Sequence, residues 1–155
     1  MKNIILASQS RVRKEILNTH GILCTQISSN IDEEPVKKSL INEGASPEMI
    51  SKNLAELKAN KISQKNQNYI VLGADSVIDL KGELISKPNN RDEAMKILKK
   101  LNNQKHQLIS SVCISKNGSM IWHYTDKASL TMKNMSEKAL ENYLAKIRDE
   151  DLYAY

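Results

Sequence analysis

Ser8, Ser10 and Arg13 fall where an apolar run gives way to a helical pattern, in Ile4-Ile5-Leu6-Ala7-Ser8-Gln9-Ser10-Arg11-Val12-Arg13-Lys14-Glu15-Ile16-Leu17. A strand that hands over to a helix through such a turn offers free N–H groups and a partial positive charge. The two hydroxyls and the guanidinium add donors aimed the same way, which suits a phosphate. Further on, Gly73-Ala74-Asp75-Ser76 puts a carboxylate at the expected end of a buried strand, where open α/β sheets form their ligand crevice. A buried Asp is paired, metal-bound or catalytic. Asp32-Glu33-Glu34, in an expected loop, supplies carboxylates that can share a hard divalent cation with it. Lys52, Lys58 and Lys87, the last fixed in a turn by Pro88, are point-charge phosphate binders. Taken singly, each has a plainer reading as a helix cap, a turn-forming Asp, surface acidity or a solvated lysine. His106 reads as a structural or hydrogen-bonding residue. No Walker motif, G-x-G-x-x-G fingerprint, zinc pattern or nucleophile elbow occurs, so phosphate is not held in the P-loop manner.

The elements that must position these residues follow from apolar period and turn chemistry. Asn3–Ala7 reads as a buried strand, Ser10–Thr19 as a helix capped by Ser10, and Ile22–Ser28 as a second strand. Residues 29–46 are polar and read mostly as loop. A long helix follows Ser46-Pro47, with Met49, Ile50, Leu54, Leu57, Ala59 and Ile62 on its apolar face. Tyr69–Ala74 is a strand ending in Asp75, after which the chain stays extended to a turn at Lys81-Gly82 and returns through Leu84-Ile85. Arg91–Leu101 is a helix and His106–Ser115 a strand. Asn117-Gly118 is the strongest hairpin signal in the chain. Met120–Tyr124 and Ala128–Met132 read as two strands, and Ser136 caps a helix running to about Ile147. The sum is a mixed α/β fold, and the apolar-aromatic end Leu152–Tyr155 is expected to be pinned into something.

The bulk properties fit one soluble globular domain over 155 residues. Only 4% of residues are aromatic and Phe is absent, so aliphatic side chains and Met must fill the core. The net charge of +5 comes mainly from scattered lysines, with four arginines, and reads as a solvated basic surface that favours an anionic ligand. There is no basic stripe with interleaved aromatics, which argues against a nucleic-acid partner. Cys24 and Cys113 match no metal spacing and read as buried thiols. The apolar run before Ser8 is too short for a signal peptide and no segment suits a membrane span, so a cytoplasmic protein is expected.

The plainer readings lose ground because the constellations come together in order. Leu-Ala-Ser8-Gln-Ser10-x-x-Arg13-Lys-Glu-Ile-Leu, Asp32-Glu33, Leu-Ala-x-x-Lys58-Ala, Gly-Ala-Asp75-Ser76, Lys87-Pro88, Ala94-x-x-x-Leu98-x-x-Leu101 and His106 together resemble the Maf family. The match runs over essentially the whole chain. It implies a nucleoside triphosphate pyrophosphatase that cleaves between the α- and β-phosphates of non-standard or modified nucleotides. It also implies an elongated mixed sheet flanked by helices, in two lobes with a central cleft, related to the inosine-triphosphate pyrophosphatases. Members need Mg²⁺ or Mn²⁺ and are commonly homodimers. By position, Asp75 resembles the family's general base, and Glu33, with Asp75, the acidic residue that helps hold the metal. Ser8, Ser10, Arg13, Lys52 and Lys87 resemble the phosphate-binding set. Lys58 stands apart, since its Lys-Ala motif can equally serve packing and orientation.

Three departures bear on what the resemblance implies. Val12 stands where one branch of the family has arginine and another an aromatic residue, and Ser76 stands for the usual Thr. Both positions are associated with base selection. Family members also continue past the point where this sequence stops, through a Tyr-x-[Ile/Leu]-[Gln/Glu]-Gly segment that contacts the base. The single Maf-like domain over residues 1–155 is therefore expected to lack that part, with reduced stability and weak turnover. The alternative is a non-catalytic nucleotide-binding or regulatory remnant of the same family. A basic RNA-binding module is the third reading, disfavoured by the lack of stacking aromatics.

Overall fold

A computed structural model describes residues 4–152. Asn3 and the expected pinning of Tyr153–Tyr155 lie outside the described residues. Within the described chain a six-stranded sheet runs in the order β2 (Thr25–Gln26), β1 (Ile4–Leu6), β3 (Ile70–Leu80), β5 (Lys105–Lys116), β6 (Ser119–Thr131), with β4 (Glu83–Ile85) paired to β3. By packing the chain divides into two compact units, one running to Ser76 and including Ile109–Asp126, the other made of Val77–Leu108 and the chain from Lys127 onward.

The first unit begins with β1 (Ile4–Leu6), whose apolar run is flanked by parallel neighbours on both sides. It pairs with β2 (Thr25–Gln26) through Ile5 and Leu6, and with β3 (Ile70–Leu80) through Ile4, Ile5 and Leu6. A central parallel strand must be apolar on both faces, and Ile5 and Leu6 are buried. Helix α1 (Arg11–Thr19) follows its cap as expected, with Ser10 Oγ accepting from the Arg13 N–H at 3.3 Å. The second strand is much shorter than the expected Ile22–Ser28.

Residues 29–46 are not mostly loop. Helix α2 (Glu33–Asn42) occupies their centre, with Asp32 at its N-cap. The reason lies in the sequence: Pro35 sits in the first turn, where backbone N–H groups have no intrahelical partner to lose. Glu33 and Glu34 stand at the positive end of the helix. Helix α3 (Pro47–Lys65) starts as expected, Ser46 Oγ accepting from Met49 N at 3.3 Å. Its inner face is rotated from the expected one. Met49 and Leu57 are exposed, whereas Ser51, Ala55, Lys58 and Ser63 join Ile50, Leu54, Ala59 and Ile62 in the interior. The core gathers Ile5, Ala7, Ala55, Ala59, Ile62, Val71 and Cys113. Small residues on α3 let it approach β3 at Gly73, where a Cβ would stand 2.2 Å from the Ala55 carbonyl oxygen.

In the second unit the end of β3 turns back through Lys81-Gly82, both at positive φ, into antiparallel β4 (Glu83–Ile85). Helices α4 (Arg91–Leu101), α5 (Glu137–Lys146) and α6 (Asp149–Leu152) build a second core from Ala94, Leu144 and Leu152. Leu152 is thus pinned as expected. Arg91 donates to the Leu144 and Ile147 carbonyls at 2.8 and 2.7 Å and to Asp149 Oδ1 at 2.7 Å, satisfying the open end of α5. Strand β5 (Lys105–Lys116) is joined to β6 (Ser119–Thr131) by Asn117-Gly118, both residues at positive φ. One long strand replaces the two expected between Met120 and Met132. The polar stretch Thr125-Asp126-Lys127 does not interrupt it, because β6 is an edge strand, mostly exposed, where charged residues are at home.

Candidate active site

Asp75 lies in the middle of β3, not at its end. The strand continues because Ser76-Val77-Ile78 still has neighbours to pair with, so the carboxylate is enclosed in the sheet rather than released into a loop. Asp75 is 6% exposed. Side chains alternate along a strand, so Gly73 and Asp75 share the face that meets α3. Such a carboxylate must find charge partners or give up its charge.

Lys58 supplies the first partner. It sits on the buried stripe of α3, four residues after Leu54 and four before Ile62, and its Nζ donates to Asp75 Oδ1 at 2.8 Å. The same ammonium lies 2.7 Å from Glu33 Oε1, at the first turn of α2. Lys37, one turn along α2 and also buried, reaches Glu33 at 3.6 Å and Glu34 at 3.3 Å. Arg13 approaches from α1. Its Nη1 donates to the Ala74 carbonyl at 2.9 Å and to Ser8 Oγ at 3.2 Å. Three carboxylates and three cations therefore come together from α1, α2, α3 and β3.

Burial raises the Asp75 carboxyl above its ordinary pKa. Lys58 and Arg13 pull it back, and the neighbouring Glu33 charge adds to the rise. Burial likewise lowers the Arg13 guanidinium, opposed by Asp75 and Glu33, although an arginine stays protonated. One buried atom of the set has no hydrogen-bond partner among the described residues, Asp75 Oδ2. A buried carboxylate oxygen left in this way, beside a second carboxylate, suits Mg²⁺ or Mn²⁺, which take one or two carboxylates and complete their shell with substrate phosphates. No group of three or more His, Cys, Asp or Glu residues capable of caging a metal occurs among the described residues.

The expected site residues distribute unevenly over this geometry. Ser8, Arg13, Glu33 and Asp75 come together. Ser8 Oγ accepts from Ser10 N at 3.2 Å, ordering the turn that precedes α1. Ser10 caps that helix with its side-chain oxygen, and its carbonyl accepts from Gln26 Nε2 at 3.0 Å. Glu33 stands on a helix start, not on the expected loop. Val12 is 62% exposed on α1, next to Arg13 in sequence. Ser76 points away from Asp75, as alternation requires, and its hydroxyl meets Ser110 Oγ at 2.9 Å. Lys52 is half-buried on α3 and its carbonyl faces the Cys113 thiol at 3.9 Å. Lys87 is exposed in the second unit, between β4 and α4. Cys113 is buried, its thiol pushed up to about 11 by burial, while Cys24 is only half-buried, against expectation.

Sequence reasoning undervalued Lys58 and missed Lys37 and Ser51, whose Oγ donates to the Asp75 carbonyl at 3.1 Å. A signal existed for Lys58 and Ser51: both fall at helical spacing on the stripe that carries Leu54, Ala55 and Ile62. None existed for Lys37 until α2 is known to be a helix.

The Maf-like protein family model matches residues 3–152. The chain belongs to the Maf-like family. A nucleoside triphosphate pyrophosphatase from Pelagibacter ubique is 66% identical over all 155 residues, which cover 80% of that relative. A 7-methyl-GTP pyrophosphatase from Brucella abortus is 33% identical, aligned over 94% of this chain and 73% of its own length. Among solved structures, a HAM1 protein from Coxiella burnetii aligns over 83% of this chain and 71% of its own, with a TM-score of 0.47 and 14% identity. Within this Maf-like chain, the motifs Ser8-x-Ser10-x-x-Arg13, Glu33, Lys58 and Asp75 are the ones that converge. No helix among the described residues is long and apolar enough to cross a membrane.

Proposed function

We propose that this Maf-like protein hydrolyses the α–β phosphoanhydride of nucleoside triphosphates, giving a nucleoside monophosphate and pyrophosphate. Its substrates are non-standard or modified nucleotides of the cytoplasmic pool. The observation that carries this reading is the buried Asp75 carboxylate, with one oxygen bonded to Lys58 and the other without a partner among the described residues, beside Arg13, which donates to Ser8 Oγ. The names of the relatives support it.

Asp75 acts as general base. It takes a proton from a water whose oxygen attacks the α-phosphorus, while the bond to the bridging oxygen breaks and pyrophosphate leaves. A raised pKa makes this carboxylate a better proton acceptor than a solvated one, provided that it is ionised at the working pH. Arg13 and the Ser8 and Ser10 hydroxyls hold phosphate oxygens in place, where fixed donors favour the charge that develops during transfer. Lys52 adds to the phosphate set, as the family resemblance implies, and Val12 and Ser76 bear on base choice. Glu33 and Asp75 would hold Mg²⁺ or Mn²⁺, which when bound neutralises triphosphate charge and polarises the phosphorus. A homodimer is part of the same family expectation.

The test is pyrophosphate release from a panel of canonical and modified triphosphates, with Mg²⁺ or Mn²⁺ and after chelation. Metal-dependent release from at least one substrate, lost in Asp75→Asn, is the expected outcome. Absence of release across the panel would sink the reading.

A further inference from the structure

Lys58 already occupies the place between the two carboxylates that the proposed function gives to a divalent ion. Its ammonium lies 2.7 Å from Glu33 and 2.8 Å from Asp75, with only 9% of the side chain exposed. The six groups Glu33, Glu34, Asp75, Arg13, Lys37 and Lys58 sum to no net charge. A free divalent ion thus meets neither a net negative field nor an open pair of carboxylates, and the nearby ammonium repels it. A triphosphate removes both obstacles at once. It brings several negative charges, and its oxygens can take over the ammonium as a hydrogen-bond donor.

We propose that Lys58 is an internal cation that makes divalent-ion binding conditional on the nucleotide. Without nucleotide it bridges Glu33 and Asp75 and keeps the ion out. With nucleotide its ammonium turns from the carboxylates to the phosphate chain, and the ion enters with the substrate. This rests on the pyrophosphatase reading of the site. It goes further in giving Lys58 a role in the order of binding, which a residue serving only packing would not have.

Binding of Mn²⁺, followed by the electron paramagnetic resonance signal of the free ion, tests the idea in wild type, Lys58→Gln and Lys58→Arg. Each is measured alone and with a triphosphate analogue whose α–β bridge is a methylene. Without nucleotide, Lys58→Gln should bind Mn²⁺ roughly ten-fold more tightly than wild type or more, because two carboxylates have lost their shared cation. Lys58→Arg should stay close to wild type, and the analogue should tighten Mn²⁺ binding in wild type by a similar factor. Equal Mn²⁺ affinity of wild type and Lys58→Gln without nucleotide would overturn the proposal. Should Lys58→Gln fail to fold, wild type supplies the test through the lysine side-chain resonances. The Lys58 signal should be unmoved by Mg²⁺ alone and shift with Mg²⁺ plus the analogue, and a shift with Mg²⁺ alone counts against the idea. Pyrophosphate release by wild type is scored separately, so a failed assay strikes the reading of the reaction while the Mn²⁺ comparison judges Lys58.

Discussion

Gly73→Ala is the smallest change that should separate α3 from β3. The glycine backbone is not in the left-handed region, so alanine meets no conformational strain there. On unfolded-chain entropy alone the substitution would stabilise by about 0.4–1 kcal/mol. Space decides otherwise. The new Cβ would stand 2.2 Å from the Ala55 carbonyl oxygen, 2.8 Å from Ala59 N and 2.9 Å from Ala59 Cβ. These are mainly backbone atoms of a helix that is itself packed in the core, so no side chain can swing away. Reaching ordinary carbon contact distances requires α3 to retreat by roughly 1 Å. Overpacking of this kind costs about 1–3 kcal/mol and occasionally more. With backbone on the opposing side, a net loss of about 3 kcal/mol is expected, or a fall in Tm of roughly 6–12 °C at this chain length. The retreat also carries Lys58 away from Asp75, whose 2.8 Å contact is two residues along the same strand face. Thermal and urea unfolding measure the first effect, and pyrophosphate release well below the melting range measures the second. A Gly73→Ala protein that melts at or above wild type with full turnover would refute the claim that this close approach positions the site.

Four further outcomes follow from the structure. Asp75→Asn should lower pyrophosphate release by about 10²–10⁴-fold, the ordinary worth of a general base. It should not lower Tm at neutral pH, because burial, together with the neighbouring Glu33 charge, outweighs the attraction of Lys58 and Arg13. The sign of the pH dependence is fixed by the raised pKa. The folded protein holds the Asp75 proton more tightly than the unfolded chain, so this group's contribution to stability is full below the ordinary value of 3.8 and is lost as pH rises through the folded value. Turnover needs the ionised form and should rise across that same window, and thermal melts of wild type and Asp75→Asn superimposing at every pH would contradict it. Arg13→Ala should raise KM for the nucleotide and destabilise by about 1–3 kcal/mol, since the Ala74 carbonyl loses its donor. Ser46→Ala removes the cap of α3 and should cost about 1 kcal/mol in unfolding experiments with kcat unchanged.

What could be read in advance was whatever depends on near neighbours in the chain. Ser46-Pro47, Lys81-Gly82, Asn117-Gly118 and Ser136 each start or turn an element by local hydrogen bonding and φ preference, and each does so in the structure. The same local logic was available for α2, but the acidic Asp32-Glu33-Glu34-Pro35 has two meanings, a solvated loop or a helix start. The Glu33–Lys37 pair within the helix and the tertiary contact of Glu33 with Lys58 on α3 decide for the second. Asp75 was legible as a buried carboxylate in need of partners and not as a mid-strand one, because a strand runs past a buried carboxylate only if a distant segment supplies its counter-charge. That segment is α3, 17 residues earlier at Lys58. Ser76 shows the converse. It adjoins Asp75 in the motif, yet strand alternation sends its hydroxyl to Ser110 on the other face.

Helix α3 explains why the inner face was misjudged and why the site stands where it does. An ordinary amphipathic helix hides apolar residues and shows polar ones, whereas α3 buries Ser51, Lys58 and Ser63 among its aliphatic residues. Each buried polar group has a partner on or beside a strand: Ser51 reaches the Asp75 carbonyl, Lys58 the Asp75 carboxylate, and Ser63 Oγ accepts from Gly118 N at 3.0 Å. Left unpaired, such groups would cost about 1–3 kcal/mol each, so the helix is stable in this rotation only when β3 and the β5–β6 turn are in place. Apolar period alone would turn α3 to bury Met49 and Leu57. The structure exposes both and turns Lys58 inward instead, against Asp75 and Glu33. The rotation of one helix thus trades apolar burial for a fixed set of charges, which is what a carboxylate buried inside a sheet requires.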